Sequence, residues 1–316
     1  MQRLQKLAAI FVLLVATATV AGAQEAKDGF FTASDGVKIH YLTLGDRGSW
    51  VVLIHGYSDS ARRMWFTTGI APEIAKNHRV VAIDNRNHGQ SDKPQPGGSG
   101  RADDVIELMD QLKIEKAHIH GYSMGGGFVG QLLGKIPGRF ITAGFGGSGM
   151  TETDPELRAK AAALDEASPK ATGADAEAMT RFRSRVSTAR TSGALAPAAG
   201  TATTSAPSTT STPSTTSTTS GGATASNATA ALPRTPPATG TAATVDLTTL
   251  TIPIIGINGA FDGPYAKTMR LWREVKVFHN VVLPGKTHLT AIAVGGPMPQ
   301  QYIDEIARFI DHYDVK

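Results

Sequence analysis

Residues 121–125 read Gly-Tyr-Ser-Met-Gly, a G-x-S-x-G pattern with Ser123 at its centre. The alternating segment 117–120 precedes it, and a glycine-rich segment that continues into Phe128 and Val129 follows it. This order predicts a strand, a sharp turn and a helix, the context in which such a serine can serve as a nucleophile. Glycines at both ends let the backbone bend tightly, so that the hydroxyl stands at the start of the helix. Because the chain holds 34 glycines, a chance match has to be weighed against the flanking elements and the partners downstream.

Short apolar runs upstream of this pattern predict buried strands. Residues 50–54 read Trp-Val-Val-Leu-Ile and residues 80–83 read Val-Val-Ala-Ile, and each run ends in a polar loop. The apolar periodicity of residues 105–112 indicates one face of a helix. Continuous apolar runs are typical of strands that are covered on both faces of a parallel sheet. We therefore expect an α/β fold, a mostly parallel sheet with helices on both faces.

The remaining elements extend this alternation and interrupt it once. A hairpin is predicted over residues 30–44 around an Asp-Gly turn, and a short helix over residues 70–76. Later predictions are strands at 140–144, 252–257 and 277–283, helices from Asp154 and over 176–190, and a closing helix with Ile303, Ile306, Ala307 and Ile310 on one face. The predicted division is a leader at 1–23, a core at 24–150, a helical cap or lid at 151–190, a low-complexity tract at 191–244, and the rest of the core at 245–316.

The first 23 residues have the layout of a secretory signal peptide. Arg3 and Lys6 precede an apolar run over residues 7–15, and Ala-Gly-Ala follows at 21–23. The apolar run is shorter than a helix that crosses a bilayer comfortably. We therefore expect cleavage and an exported protein, periplasmic or secreted, with no stable membrane span afterwards. An uncleaved N-terminal anchor is the alternative.

Composition narrows the classes of function. The chain has no cysteine, which excludes a cysteine nucleophile, a thiolate metal site and any disulfide. The formal charge of +4 falls to +2 without Arg3 and Lys6, so we expect no nucleic-acid partner. All but four of residues 191–244 are Thr, Ser, Ala, Pro or Gly. Such a tract cannot bury enough apolar surface to order itself, and we expect a disordered loop. The sequon at Asn227 is weak evidence for glycosylation in a tract of this composition.

A reactive serine needs a base, and the base needs a carboxylate that orients it. Asp262 and His288 each follow a predicted strand in the second part of the core. Polar groups at the carboxyl ends of strands meet at one edge of such a sheet, so we expect both beside Ser123. Asp262 also has an ordinary interpretation as a turn residue in Asp-Gly-Pro, and Asp154 and Asp246 are the rival carboxylates.

Together these motifs resemble the α/β-hydrolase superfamily, in its serine hydrolase, esterase or lipase-like branch. The resemblance rests on five motifs that cover roughly residues 30–150 and 250–316: His-Gly at 55–56, the loop at 84–91, the pentapeptide at 121–125, the Asp262 turn and the Gly-x-x-His that ends at His288. The order of serine, aspartate and histidine along the chain is the one found in that superfamily.

The resemblance implies an α/β-hydrolase fold in which the Thr/Ser tract lies in a partly disordered cap insertion. It implies an acyl-enzyme mechanism with Ser123 as nucleophile, His288 as base and Asp262 as the residue that orients the base. The backbone N–H groups of Met124 and Tyr57 would form the oxyanion hole. No cofactor and no metal are expected, and the expected partner is a small-molecule ester or another acyl substrate.

Several chemistries remain open within that resemblance. Serine at position 123 argues against dehalogenases and epoxide hydrolases, which use aspartate there. Carboxylesterases and lipases, lactonases, C–C bond hydrolases, peptidases and cofactor-free perhydrolases remain, and predicted export favours a carboxylesterase, class EC 3.1.1. A hypothesis of another kind is a non-catalytic surface or binding module with the Thr/Ser tract as a flexible tether.

Other polar residues have ordinary interpretations. His55 and His88 are expected to structure their loops. His118 and His120 share one strand face, as a metal pair would, but no third histidine lies nearby in the sequence. The cap helix carries arginines that are more simply explained as a solvated face than as a clamp for an anionic substrate: Arg181, Arg183, Arg185 and Arg190.

Overall fold

The protein is described by a computed structural model that covers residues 25–95, 100–191, 245–293 and 298–314. The predicted signal peptide lies outside these residues, as does the predicted disordered tract apart from its first residue. None of the helices in the described ranges combines the length and the apolar character that a bilayer crossing requires.

The described strands form one eight-stranded sheet in the order β1-β2-β4-β3-β5-β6-β7-β8. Strand β2 pairs antiparallel with β1 and with β4, and all the other neighbouring strands are parallel. The strands are Lys27–Thr32 (β1), Lys38–Leu44 (β2), Trp50–Ile54 (β3), Arg79–Ile83 (β4), Ala117–Tyr122 (β5), Phe140–Gly146 (β6), Ile254–Gly259 (β7) and Phe278–Leu283 (β8). The predicted α/β class and the predicted hairpin are confirmed.

Helices cover both faces of the sheet. They are Ile70–Ile74 (α1), Ala102–Gln111 (α2), Met124–Lys135 (α3), Pro155–Ala167 (α4), Gly173–Thr191 (α5), Pro264–Glu274 (α6) and Gln300–Tyr313 (α7). Side chains of α2, α3 and α6 pack in one apolar core, and those of α1 and α7 pack in another. The sheet separates the two cores, as the predicted alternation of strands and helices requires.

Strand β3 shows how the sequence directs side chains to the two cores. Val52 and Ile54 pack with α2 and α3, whereas Val51 and Leu53 pack with α1 and α7. All four side chains are fully buried, because successive side chains of a strand point to opposite faces and both faces are covered.

The structure differs from the predicted boundaries at several places. Helix α1 ends at Ile74, two residues before the predicted end, and α5 begins at Gly173 rather than near residue 176. A five-residue π-helical turn at Arg62–Phe66 was not predicted. It follows Ala61, whose N–H donates to the buried carboxylate of Asp84 at 2.7 Å, a tertiary contact that local sequence does not reveal.

Candidate active site

Ser123 occupies a strained turn between strand β5 and helix α3. Its backbone has φ 53° and ψ −111°, and a non-glycine residue with positive φ costs on the order of 1–3 kcal/mol. The flanking glycines are sterically required. A Cβ on Gly121 would lie 2.2 Å from the carbonyl oxygen of Gly125, and a Cβ on Gly125 would lie 2.1 Å from that of Ile54. The two glycines therefore allow the chain to turn here and to present the serine at the edge of the sheet.

Three side chains that are distant in the sequence form one hydrogen-bonded chain at this edge. Ser123 Oγ lies 2.9 Å from His288 Nε2, and His288 Nδ1 lies 2.8 Å from Asp262 Oδ2. With the neutral imidazole protonated on Nδ1, His288 donates to the carboxylate and accepts from the hydroxyl. Asp262 and His288 are each 8% exposed, so bulk water has little access to the carboxylate or the imidazole.

Loops at the ends of β7 and β8 hold Asp262 and His288 in place. The N–H of Ala260 donates to the carbonyl of Leu283 at 2.9 Å, and the N–H of Phe261 donates to that of Lys286 at 2.9 Å. The Tyr122 hydroxyl donates to the His288 carbonyl at 2.5 Å. Hydrogen bonds between the backbones of the two loops therefore set the distance between the carboxylate and the imidazole.

The rival carboxylates serve other purposes. Asp154 is the N-cap of α4 and accepts from the N–H groups of Glu156 and Leu157 at 2.8 and 3.0 Å. Asp246 caps the short turn at residues 247–249, where the N–H of Thr248 donates to it at 3.0 Å. Both side chains accept hydrogen bonds from neighbouring backbone N–H groups. Of the three carboxylates, Asp262 is the one that contacts His288.

A lysine that the sequence analysis did not single out contacts the same carboxylate. Lys267 Nζ, on α6, lies 2.5 Å from Asp262 Oδ2, the oxygen that also contacts His288. Burial alone would raise the pKa of Asp262, but the neighbouring His288 and Lys267 outweigh it, and the pKa lies below its ordinary value. Burial also lowers the pKa of Lys267, and Asp262 opposes that shift. The carboxylate is thus held ionised between two nitrogen groups.

The two backbone segments expected to form an oxyanion hole pass close to Ser123. Met124 is the first residue of α3, and N–H groups in the first turn of a helix have no partner within the helix. The loop that carries Tyr57 passes close to Ser123: a Cβ atom placed on Gly56, the residue before Tyr57, would lie 3.3 Å from Ser123 Cβ. Both backbone segments therefore lie close to Ser123.

His55 and His88 bind the loops around the site. The His55 Nε2 accepts from the N–H of Asn85 at 3.0 Å, and its Nδ1 donates to the carbonyl of Gly56 at 2.7 Å. Burial, assisted by nearby His88, lowers the pKa of His55 to about 4. His88 Nδ1 lies 3.1 Å from the carbonyl oxygen of Arg86. These contacts agree with the structural interpretation of both residues.

The second cap helix reaches the site through an aromatic ring. Phe182, on α5, stacks on the His288 imidazole with ring centroids 5.0 Å apart and an interplanar angle of 29°. The neighbouring Arg181, Arg183 and Arg185 are exposed, in line with a solvated face. Phe182 was missed by the sequence analysis, because α5 has little apolar periodicity.

His118 and His120 do not form a pair. His120 Nε2 lies 2.6 Å from the Tyr302 hydroxyl, and His118 Nδ1 lies 2.9 Å from Thr142 Oγ1. Within the described ranges, one group of histidine and carboxylate ligands could hold a metal ion, namely His78, His118 and Asp314. It lies near the start of β5, whereas Ser123 follows the end of that strand.

Comparison with known proteins identifies the class. Residues 51–305 match the model of the alpha/beta hydrolase family, so the chain belongs to this family. A thermophilic esterase from Thermogutta terrifontis has a similar fold, with a TM-score of 0.54 and 19% identity over 92% of this chain and 100% of the esterase. A likeness at this identity shows the fold alone, and it confirms the α/β-hydrolase fold predicted from the sequence.

Curated relatives match over shorter stretches. A dihydrolipoyllysine-residue acetyltransferase component of the acetoin cleaving system, from Cupriavidus necator, is 34% identical over 145 residues, which are 42% of this chain and 38% of the relative. A non-heme chloroperoxidase of Streptomyces lividans is 37% identical over 123 residues, which are 36% of this chain and 42% of the relative. The chain thus matches about two fifths of the length of these relatives.

Proposed function

We propose that the protein is a serine hydrolase that cleaves carboxylic esters of small molecules through an acyl-enzyme intermediate. The observation that carries the proposal is the unbroken chain of hydrogen bonds from Ser123 through His288 to Asp262. A hydroxyl, an imidazole and a buried carboxylate in this order are what nucleophilic acyl transfer requires. Family membership supports a hydrolase, and the nucleophile at the elbow is a serine rather than an aspartate.

Each residue of the site has a defined task in this mechanism. His288 Nε2 accepts the proton of Ser123 as Oγ attacks the carbonyl carbon, and Asp262 stabilises the imidazolium that forms. The carbonyl oxygen becomes an oxyanion, to which the N–H groups of Met124 and Tyr57 donate; losing one such donor costs about 3–4 kcal/mol. The imidazolium then protonates the leaving alcohol. Water, deprotonated by His288, hydrolyses the acyl-enzyme and releases the acid.

A second candidate is a cofactor-free perhydrolase, which is favoured by the similarity to a protein of Streptomyces lividans that is named as a non-heme chloroperoxidase. In that case hydrogen peroxide, rather than water, would attack the acyl-enzyme and give a peracid. The two candidates share the same site and differ in the second nucleophile. Comparing peracid formation from acetate and hydrogen peroxide with ester hydrolysis separates them, and the higher kcat/KM identifies the activity.

Replacing Ser123 by Ala tests the proposal directly. Hydrolysis of short p-nitrophenyl esters should fall by roughly four to six orders of magnitude in kcat, because the nucleophile is lost. A fluorophosphonate probe should label the wild type and not the variant. Ser184→Ala, a change at an exposed serine on α5, is the matched control and should react as the wild type does.

Failure of the probe to label folded wild-type protein would favour the non-catalytic binding module over either enzyme. Turnover by a folded Ser123→Ala variant at the wild-type rate would reject the proposed nucleophile. Acyl chains of graded length in the same assay would place the substrate among short-chain esters, long-chain lipids and lactones.

We also propose that the protein is exported, on the basis of its N-terminal sequence. The mature N-terminus should then follow Ala23, and N-terminal sequencing of protein from cell fractions tests this. Recovery of uncleaved protein in the cytoplasm would contradict export, and recovery of uncleaved protein in the membrane fraction would favour the anchor.

A further inference from the structure

A second cluster of polar side chains lies at the end of the sheet away from Ser123. His78 immediately precedes β4, His118 is the second residue of β5, and Asp314 follows the last residue of α7. A nitrogen from each histidine and a carboxylate oxygen of Asp314 lie within 4.8 Å of one another. Residues that are far apart in the sequence thus bring three metal-type ligands together.

Two atoms of this cluster, His118 Nε2 and Asp314 Oδ1, are buried and have no hydrogen-bond partner among the residues that the structure describes. They face each other at 3.5 Å. The other nitrogen of His118 is bound to Thr142 Oγ1 at 2.9 Å. If Nδ1 carries the proton and donates to Thr142, a lone pair of Nε2 faces a carboxylate oxygen. A cation between the two atoms would satisfy both.

His78 is already oriented as a ligand. Its Nε2 lies 2.8 Å from Asp311 Oδ1, and its Nδ1 lies 3.8 Å from Asp314 Oδ2. A carboxylate that accepts from the distal N–H of a histidine is the usual support of a metal-bound imidazole, because it holds the tautomer and the ring. The Ser49 hydroxyl, 3.0 Å from Nδ1, would turn away when Nδ1 binds a cation.

The charges of the cluster favour a divalent cation. Asp311 and Asp314 bring two carboxylates, and in the part of the chain that the structure describes neither is paired with a lysine or an arginine. A doubly charged ion would balance both carboxylates.

We propose that His78 Nδ1, His118 Nε2 and the Asp314 carboxylate form a binding site for a divalent transition ion of the Zn²⁺ type. Two imidazoles and a carboxylate are a donor set that suits Zn²⁺, with water as the fourth ligand. Ligand atoms of a tetrahedral zinc site are about 3.3 Å apart. The carboxylate oxygens of Asp314 are 3.5 and 3.8 Å from the two nitrogens, so small movements close the site.

Such an ion would tie the carboxyl end of α7 to β4 and β5. The chain has no cysteine, so disulfides cannot provide this link. The site is remote from Ser123, and its effect is therefore on stability rather than on the chemistry at the other edge of the sheet.

Titration of untagged, chelator-treated full-length protein with Zn²⁺ tests the proposal. We expect one ion per chain by calorimetry and by metal analysis, together with a rise in melting temperature. His118→Gln and Asp314→Asn should each weaken binding by at least about tenfold. His120→Gln is the matched control, because His120 lies on the same strand face but contacts Tyr302; it should bind Zn²⁺ as the wild type does.

Two results would overturn the site: no binding at micromolar Zn²⁺, or equal affinities of Asp314→Asn and the wild type. Asp314 is 21% exposed at the end of the last helix, so its substitution carries the test if His118→Gln does not fold. Substitution with Co²⁺ adds a spectroscopic test, since the wild type should show the visible absorption of a tetrahedral cobalt site and both ligand variants should lack it.

Discussion

Asp262 Oδ2 has two nitrogen partners, the Nδ1 of His288 and the ammonium of Lys267. The ammonium stabilises the carboxylate, but its positive charge would also oppose the imidazolium that forms in the proposed mechanism. Lys267 is itself influenced by Asp165, which favours its charged form, and by Arg183, which disfavours it. If Lys267 positions and stabilises the Asp262 carboxylate, its removal should change the pH dependence of the reaction.

Replacing Lys267 by Met should move the acid limb of kcat/KM to higher pH by about one unit. The sign follows from the carboxylate: Lys267 helps to lower the pKa of Asp262, so without the ammonium this pKa rises and the ionised carboxylate is lost at a higher pH. A pH profile of ester hydrolysis measures the midpoint. Lys160→Met, at an exposed position on α4, is the control, and an unmoved midpoint in the Lys267 variant would rule out the electrostatic role.

At the scale of elements, the cap helices are tied to the helix that carries Lys267. Asp165, on α4, accepts from the N–H groups of Tyr265 and Ala266 at 2.9 and 2.8 Å, in the first turn of α6. Helix α5 then places Phe182 on the His288 ring. The cap thus contacts the site at two points, one beside the base and one next to the lysine.

If the protein cleaves esters as proposed, Phe182→Ala should change which acyl chains it accepts. Removing the ring opens space beside His288, so the ratio of kcat/KM for long-chain over short-chain esters should rise severalfold, given that one methylene is worth about 1–3 kcal/mol in an apolar pocket. Phe182→Tyr retains the ring and should keep the wild-type ratio. A ratio that stays constant in Phe182→Ala would mean that the ring does not border the acyl site.

At the scale of the whole molecule, the strands of the sheet and the positions of the candidate site residues could be predicted, because both follow from local sequence patterns. Buried strands read as apolar runs, and Ser123, Asp262 and His288 each follow one. Asp262 was preferred over Asp154 and Asp246 because it follows a predicted strand, but the contacts that show the two rivals to be a helix cap and a turn cap are visible only in the structure. Lys267 and the group of His78, His118 and Asp314 depend on contacts between distant elements, for which no spacing rule exists.

A buried carboxylate in the loop after β4 makes the free energy of unfolding depend on pH in the acid range. Asp84 is buried, and its carboxylate accepts from His40 Nδ1 at 2.8 Å and from the N–H groups of Ala61 and Gln90 at 2.7 and 2.9 Å. Burial alone would raise its pKa, but these bonds lower it from 3.8 to about 2. A lowered pKa means stabilisation that is complete above 3.8 and is lost as the pH falls towards 2.

Asp84→Asn should therefore flatten the acid side of the stability curve. Between about pH 4 and pH 2 the wild type should lose about 2 kcal/mol of unfolding free energy through this group, and the variant should not. The variant should also be destabilised at neutral pH, by roughly 3 kcal/mol. Urea unfolding across this pH range measures both effects, with Asp175→Asn on the exposed face of α5 as control; parallel curves for wild type and Asp84→Asn would contradict the assignment.

The positive φ of Ser123 bears on which substitutions this position could accept during evolution. Glycine is the residue that would relieve the turn of its conformational cost, and a descendant that had abandoned acyl chemistry would gain stability from a single Ser-to-Gly change. Serine at a position where glycine would cost less is therefore in keeping with the role proposed for its hydroxyl.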